Sequence, residues 1–358
     1  MRRIFLFFLL LFAGNTLFAQ QYTEAQLRAD SLTRRAIKAM DGGKTEAALE
    51  LLALARKADP EAFFPVYETG YLYYAQKDYK TALKTLEPVL EEEGVDDQAY
   101  QLVGNSWDLL GKPKKALAAY NAGLKKFPKS GKLYLEIGNI YTNAKDYTAA
   151  LESYEKGIEK DPGFSSNYYH TAFLYAGSSE KIWGALYAEL FMNLERSTSR
   201  TVETGKTLFG IYKDAVEIIN DTAAAVYFSK TANVMYDSEA KPKLPFASVY
   251  EINFLLSLAG DTVWNLPAMV KARMKFTDLY FANDMHDTYP NVLFNYQGEI
   301  KEAGHLEAYN YWLLGDGDEP AFKVWLKDHK QEYAAFADWY NAHPLELNEF
   351  NSFRSGKP

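Results

Sequence analysis

Residues 97–130 read DQAYQLVGNSWDLLGKPKKALAAYNAGLKKFPKS, and residues 131–164 read GKLYLEIGNIYTNAKDYTAALESYEKGIEKDPGF. Laid one over the other, they put Gly104 on Gly138, Trp107 on Tyr141, Ala116 on Ala150, Tyr120 on Tyr154 and Pro128 on Pro162. The offset is 34 residues, and it carries outward in both directions. Upstream it reaches Gly70, Tyr73, Ala82, Leu86 and Gly94, and before them Ala36, Ala48, Leu52 and Pro60. Downstream it reaches Ala172, Tyr175, Gly184 and Ala188. Five columns in one phase define an internal repeat, which is the mark of a stacked architecture.

Each repeat reads as two helices. Tyr100, Val103, Gly104, Trp107 and Leu110 share one helical face. Gly111-Lys112-Pro113 interrupts it, with the proline where a first helical turn tolerates one. Ala116, Leu117, Tyr120 and Leu124 form the next face, and Phe127-Pro128 ends it. Asp78 and Asp146 stand where N-caps of second helices belong. The small columns predict a close crossing in which Gly104 meets Ala116, flanked by Trp107 and Tyr120. A hairpin this short cannot bury its apolar face alone, so the repeats must stack into a solenoid.

The columns Gly70-Tyr73-Ala82, Gly104-Trp107-Ala116-Pro128 and Gly138-Tyr141-Ala150-Pro162 resemble the tetratricopeptide repeat family. The repeats fall at 29–62, 63–96, 97–130 and 131–164, with a degenerate fifth at 165–198 that lacks the closing proline. The first also departs, with Ala39 where a large residue is usual. The resemblance covers about half the chain and speaks for fold more than function.

The resemblance implies a groove lined by the second, fifth, ninth and twelfth positions of each first helix. In the second repeat these are Phe64, Tyr67, Tyr71 and Tyr74. In the third they are Gln98, Gln101, Asn105 and Asp108, and in the fourth Lys132, Leu135, Asn139 and Thr142. Amides can donate to and accept from a peptide backbone at once, and tyrosine adds contact area at low entropic cost. Gln101 and Glu136 stand where some family members clamp a C-terminal carboxylate, so capture of an acidic tail is not expected.

The N-terminus reads as an address. Arg2 and Arg3 precede an unbroken apolar run from Ile4 to Ala13, Gly14-Asn15-Thr16 breaks it, and Ala19 offers a cleavage site. That is the pattern of a secretory signal over residues 1–19, and the run is shorter than the about 20 apolar residues a spanning helix needs. The expectation is export to the periplasm or the medium, with no integral membrane segment.

Composition narrows the function. A length of 358 residues suggests about two domains. There are 39 Lys and Arg against 47 Asp and Glu, which argues against nucleic acid as a partner. The chain has no cysteine and five histidines, which excludes disulfides and thiolate chemistry and disfavours a histidine-rich metal site. No cofactor is expected.

Beyond Thr201 the repeat phase is lost. Helical spacing predicts helices over Glu203 to Ile219, Val249 to Leu258, Trp264 to Phe281, and several across 306–340. Asp318 caps one start with Pro320 in its first turn, and 237–246 reads as a loop. With no sustained alternation of period two, the whole protein is expected to be α-helical: a repeat solenoid followed by an irregular helical region over 199–358.

Other clusters favour ordinary readings. Gly43-Lys44-Thr45 and Gly205-Lys206-Thr207 lack the upstream glycine of a phosphate loop and read as turns or caps. Asn283 to Asp287 gathers two carboxylates and His286 and reads as a polar turn; His305 has no second histidine at i+4. Glu91 to Glu93 with Asp96 and Asp97 reads as a solvated acidic turn, and the lysines at 112, 114, 115, 125, 126 and 129 as helix ends. Trp264, Trp312, Trp325 and Trp339 are candidate glycan platforms, weighed against core packing. The leading expectation is an exported, non-enzymatic scaffold for a protein or peptide partner. A glycan-binding envelope accessory and an enzyme with its site in the C-terminal half are the alternatives.

Overall fold

The computed structural model describes residues 22–220, 222–230, 244–258, 262–351 and 354–355. The signal sequence expected over 1–19, and most of the loop expected at 237–246, lie outside the described residues. The chain divides into two compact units, one ending at Val95 and one beginning at Asp96.

The first unit holds two hairpins. α1 (Glu24–Asp41) pairs with α2 (Thr45–Ala58), and α3 (Phe63–Ala75) with α4 (Tyr79–Leu86). Thr23 and Gln26 form a capping box at the first helix. Pro88 turns the end of α4 into a 3-10 turn over Glu87–Val89, because its nitrogen has no proton for the helical ladder. Ala36, Ala48, Leu52 and Leu72 form the core between the helices.

The second unit opens with the hairpins α5 (Asp97–Leu109) and α6 (Pro113–Lys126), α7 (Gly131–Asn143) and α8 (Tyr147–Lys160), and α9 (Ser165–Ala176) and α10 (Lys181–Leu194). Asp78 and Asp146 cap their second helices, accepting from the backbone N–H of Thr81 and Ala149 at 3.1 and 3.2 Å. Just before the second helices a further column appears: Gly43, Lys77, Gly111 and Lys145 all have positive φ, from 60° to 70°. The turn that reverses the chain needs this left-handed residue, and two repeats supply it with lysine.

The crossing is tightest against the large column. A methyl group on Gly104 would overlap the Tyr120 ring, and one on Gly138 the Tyr154 ring. Gly70 stands against Leu86 in the same way. The large third column thus supplies the atoms nearest to the first small column. Both helices of the degenerate repeat form; Gly184 there lies against the backbone of Ala176.

From α10 onward the architecture changes. α11 (Ser199–Ala215) ends four residues before the expected stop, and Ile218 and Ile219 belong to a strand. β1 (Val216–Asn220) pairs antiparallel with β2 (Ala223–Val226), Val216 opposite Val226. The β-branched run Val216, Ile218, Ile219 favours extended backbone, and Asn220 Oδ1 accepts from Thr222 N to close the turn. Gly205 lies inside α11 and not at a cap. α12 (Phe246–Ser257), α13 (Leu266–Ala282), the one-turn α14 (Met285–Thr288), α15 (Val292–Glu302), α16 (Leu306–Leu314), α17 (Glu319–Asp328) and α18 (Lys330–Ala342) complete the unit. One continuous apolar cluster runs from Ile158 to Leu345. Asp318 caps α17 as expected, accepting from Ala321 N at 3.2 Å. The described residues are thus predominantly helical, with one short β-hairpin among them.

Candidate functional site

In the first unit, Tyr67, Tyr71 and Tyr74 all lie on α3. Tyr71 and its neighbour Phe64 are exposed, whereas Tyr67 and Tyr74 are half-buried against Phe63 and Tyr79.

In the second unit, α5 and α7 bring the other positions together. Glu136 is the hub: its Oε1 accepts from Gln101 Nε2 at 2.7 Å and its Oε2 from Asn139 Nδ2 at 3.1 Å. Asn139 Oδ1 accepts from Tyr154 OH at 2.9 Å. That phenol has one proton and gives it to Asn139, so Thr142 Oγ1, 3.0 Å away, donates to the phenol oxygen. One repeat earlier, Asn105 Oδ1 accepts from Tyr120 OH at 2.5 Å. Burial, opposed by the Thr142 hydrogen bond and aided by Glu136, pushes the Tyr154 phenol up to about 12, so it remains a donor. The same phenol-to-amide link therefore recurs 34 residues apart. In the second repeat the equivalent pair is Tyr71 and Leu86, and no such link can form.

One acceptor position on the oxygens of Asn105 and Asn139 is engaged by a tyrosine, and one N–H of Gln101 and of Asn139 by Glu136. Each of these amides has a second N–H and a second lone pair, so the bonds orient the groups without exhausting them. Lys132 pairs with Asp97 at 3.1 Å, and Asp97 also accepts from Ser130 Oγ at 2.6 Å. Gln98 is exposed and donates to Asp96; Asp108 and Leu135 are half-buried. The acidic turn is likewise more than solvated charge, because Asp96 caps α5 and Glu92 lies 3.6 Å from Arg56.

The four C-terminal tryptophans are packed. Trp325 is buried and stacks between Tyr311 at 4.1 Å and His329 at 4.7 Å. Trp339 stacks on His343, Trp312 packs on Tyr340, and Trp264 donates to the Tyr212 carbonyl at 2.9 Å. Asp284, His286 and Asp287 bring three ligand atoms within 4.8 Å of one another in the turn around α14, where Asp284 has φ of 51°. Both carboxylates there are exposed.

The polar centre that the sequence reading missed lies deep in the second unit. Glu189 on α10 is 1% exposed and pairs with Arg273 on α13, 6% exposed, at 2.7 Å. Gln297 Nε2 and Tyr309 OH donate to the other Glu189 oxygen at 2.7 and 2.9 Å. Arg273 Nε donates to Asn310 Oδ1 at 2.5 Å, and its Nη1 donates to Tyr212 OH, which lies 3.0 Å from Tyr250 OH. Burial opposes the Arg273 charge, but Glu189 and the surrounding phenols outweigh it and raise its pKa. Both carboxylate oxygens are occupied and closed to solvent, which suits them to holding four helices together, α10, α13, α15 and α16. A signal was present: Glu189 is the one acid in the apolar run KIWGALYAELFMNL of α10.

The architecture is that of a helical-repeat scaffold. Residues 19–96 and 110–163 match the tetratricopeptide repeat family model, and this part of the chain is built of tetratricopeptide repeats. Such repeats serve as platforms for protein–protein interaction and are in general not catalytic. Over 171 residues the chain is 25% identical to an N-terminal acetyltransferase A complex subunit-like protein of Schizosaccharomyces pombe, covering 46% of this chain and 24% of that one. The chain thus spans about a quarter of that relative's length. Among solved structures, MamA of Desulfovibrio magneticus RS-1 is 21% identical with a TM-score of 0.38, covering 48% of this chain and 97% of that one. PilF of Pseudomonas aeruginosa is 16% identical with a TM-score of 0.46, covering 54% and 87%. Among the described residues, no helix is long and apolar enough to cross a membrane.

Proposed function

We propose that this protein is an exported, non-catalytic scaffold that binds an extended segment of a partner protein on the face shared by α5 and α7. The observation that carries the reading is the repeated phenol-to-amide link. Half-exposed polar side chains are fixed by buried tyrosines of the neighbouring helix, so they meet a ligand already ordered. Ordering that is complete before binding is not charged against affinity. Within the first unit, α3 carries tyrosines at the corresponding repeat positions, which offer aromatic contact area of their own.

Asn105→Asp tests the face. The carboxylate retains the acceptor for Tyr120 OH and removes the amide donors. Against the partner recovered by pull-down from an envelope extract, binding falls at least tenfold while the unfolding midpoint stays in place. Full retention would move the site to the C-terminal helices. Export rests on the pattern of residues 2–19, with a periplasmic or secreted destination. N-terminal sequencing of protein made in an exporting bacterial host finds a mature chain beginning near Gln20; a chain still starting at Met1 in the membrane fraction would overturn it. The four C-terminal tryptophans are packed into the apolar cluster, so a glycan partner has no comparable support.

A further inference from the structure

A second surface lies on α8, α9 and α10, away from the residues of the α5 and α7 face. Glu155 and Glu159 stand one helical turn apart on α8. Tyr187 of α10 is fully buried and donates its phenol proton to Glu155 Oε1 at 2.8 Å. Its ring stacks on Tyr175 at 6.0 Å and 11°. Arg354 and Ser355 are seated on these four side chains. Arg354 Nη1 pairs with Glu159 Oε2 at 2.6 Å. Ser355 N donates to the Tyr187 oxygen at 3.0 Å and lies 3.4 Å from Glu155 Oε1, while Tyr175 OH donates to Ser355 Oγ at 3.0 Å.

The set is not a by-product of the repeat. One period earlier the positions of Glu155, Glu159 and Tyr187 are Asn121, Lys125 and Ser153, which cannot make the same site. The two carboxylates, the phenol acceptor and the phenol donor match a guanidinium, a backbone N–H and a hydroxyl in series. Beside Arg354, Lys156 and Lys160 also reach Glu159, and these hydrogen-bonded ammonium groups hold its carboxyl low, at about 2. The Glu159 carboxylate therefore stays ionised across the physiological range.

We infer that this surface of α8, α9 and α10 is a second peptide-docking site, specific for an arginine–serine segment, and that its resident ligand is the chain's own Arg354–Ser355. A partner segment of the same chemistry gains access only in exchange for that dipeptide. The Arg354–Ser355 bond gives a direct readout, because trypsin must draw Arg354 away from Glu159 to cut it. In the full chain, release of residues 355–358, followed by mass spectrometry, is at least tenfold slower than from a synthetic peptide of residues 345–358. Glu155→Gln with Glu159→Gln, and separately Tyr187→Phe, bring the rate to within about threefold of the peptide. Circular dichroism verifies the helical fold of each variant. The labelled peptide binds the Arg354→Glu full chain in fluorescence anisotropy and binds the native chain at least tenfold more weakly. Cleavage of the native chain at the peptide's rate, or peptide binding that is equal for both chains or undetectable in both, would overturn the inference.

Discussion

The hairpins of residues 97–164 and the helices that follow them solve the same packing problem by different means. In the hairpins a glycine admits an aromatic ring from the opposite helix, and the polar groups sit at the edge of the contact. Each contact is local and repeats. In the later helices, α10 is buried on every side from Gly184 to Asn193 and carries a charge within its apolar surface. Its contacts reach across the second unit, from Glu189 to Arg273, Gln297 and Tyr309. Steric fit can be copied from repeat to repeat, whereas a charge pair buried between particular helices fixes one arrangement only.

The largest way to break this comparison is Arg273→Met. Glu189 then stays buried without its counter-charge, at a cost of about 3–5 kcal/mol in denaturant unfolding. Combining it with Glu189→Met costs less than Arg273→Met alone, since no charge is left unpaired. A double variant as unstable as the single one would mean that packing, and not charge, dominates there.

The hairpins are sensitive to volume instead. Gly138→Leu drives a side chain into the Tyr154 ring, at a cost of about 1–3 kcal/mol or more. An unchanged thermal midpoint would mean that the two helices slide without penalty.

His170 on α9 sits where the two regions meet, stacked on the Tyr154 ring at 5.3 Å. Burial and the Arg200 charge lower its pKa to about 4. Above about 6.5 the imidazole is neutral in both folded and unfolded chains and contributes no pH dependence. Between about 6.5 and 4 only the unfolded chain takes up the proton, so stability is lost as pH falls through that window. The thermal midpoint drops accordingly, and His170→Phe flattens that part of the profile. An equal drop in the variant would assign it to carboxylates.

The smallest effect tests the turn column. Lys145 holds φ of 60°, which costs an L-residue about 1–2 kcal/mol, while glycine loses more chain entropy on folding. Lys145→Gly shifts stability by no more than about 1 kcal/mol, toward greater stability. Gly111→Lys, the reverse change one period earlier, shifts it the other way.

By itself the sequence determined the elements that depend on neighbours along the chain. Period, proline and capping aspartates located the hairpins, because each stop, start and small position is set within one repeat of 34 residues. It also placed Asn105 and Asn139 on a face apart from the packing columns. Only the tertiary structure decided which residues meet across helices. The Tyr120 ring supplies the atoms nearest to Gly104, since how two packed helices mesh depends on side-chain shape. The asparagine oxygens accept from phenols fifteen residues away. Glu189 finds Arg273 84 residues further on, and Glu155 meets Ser355 200 residues on. Pairings over such separations follow from how the helices stack, and no local spacing records them.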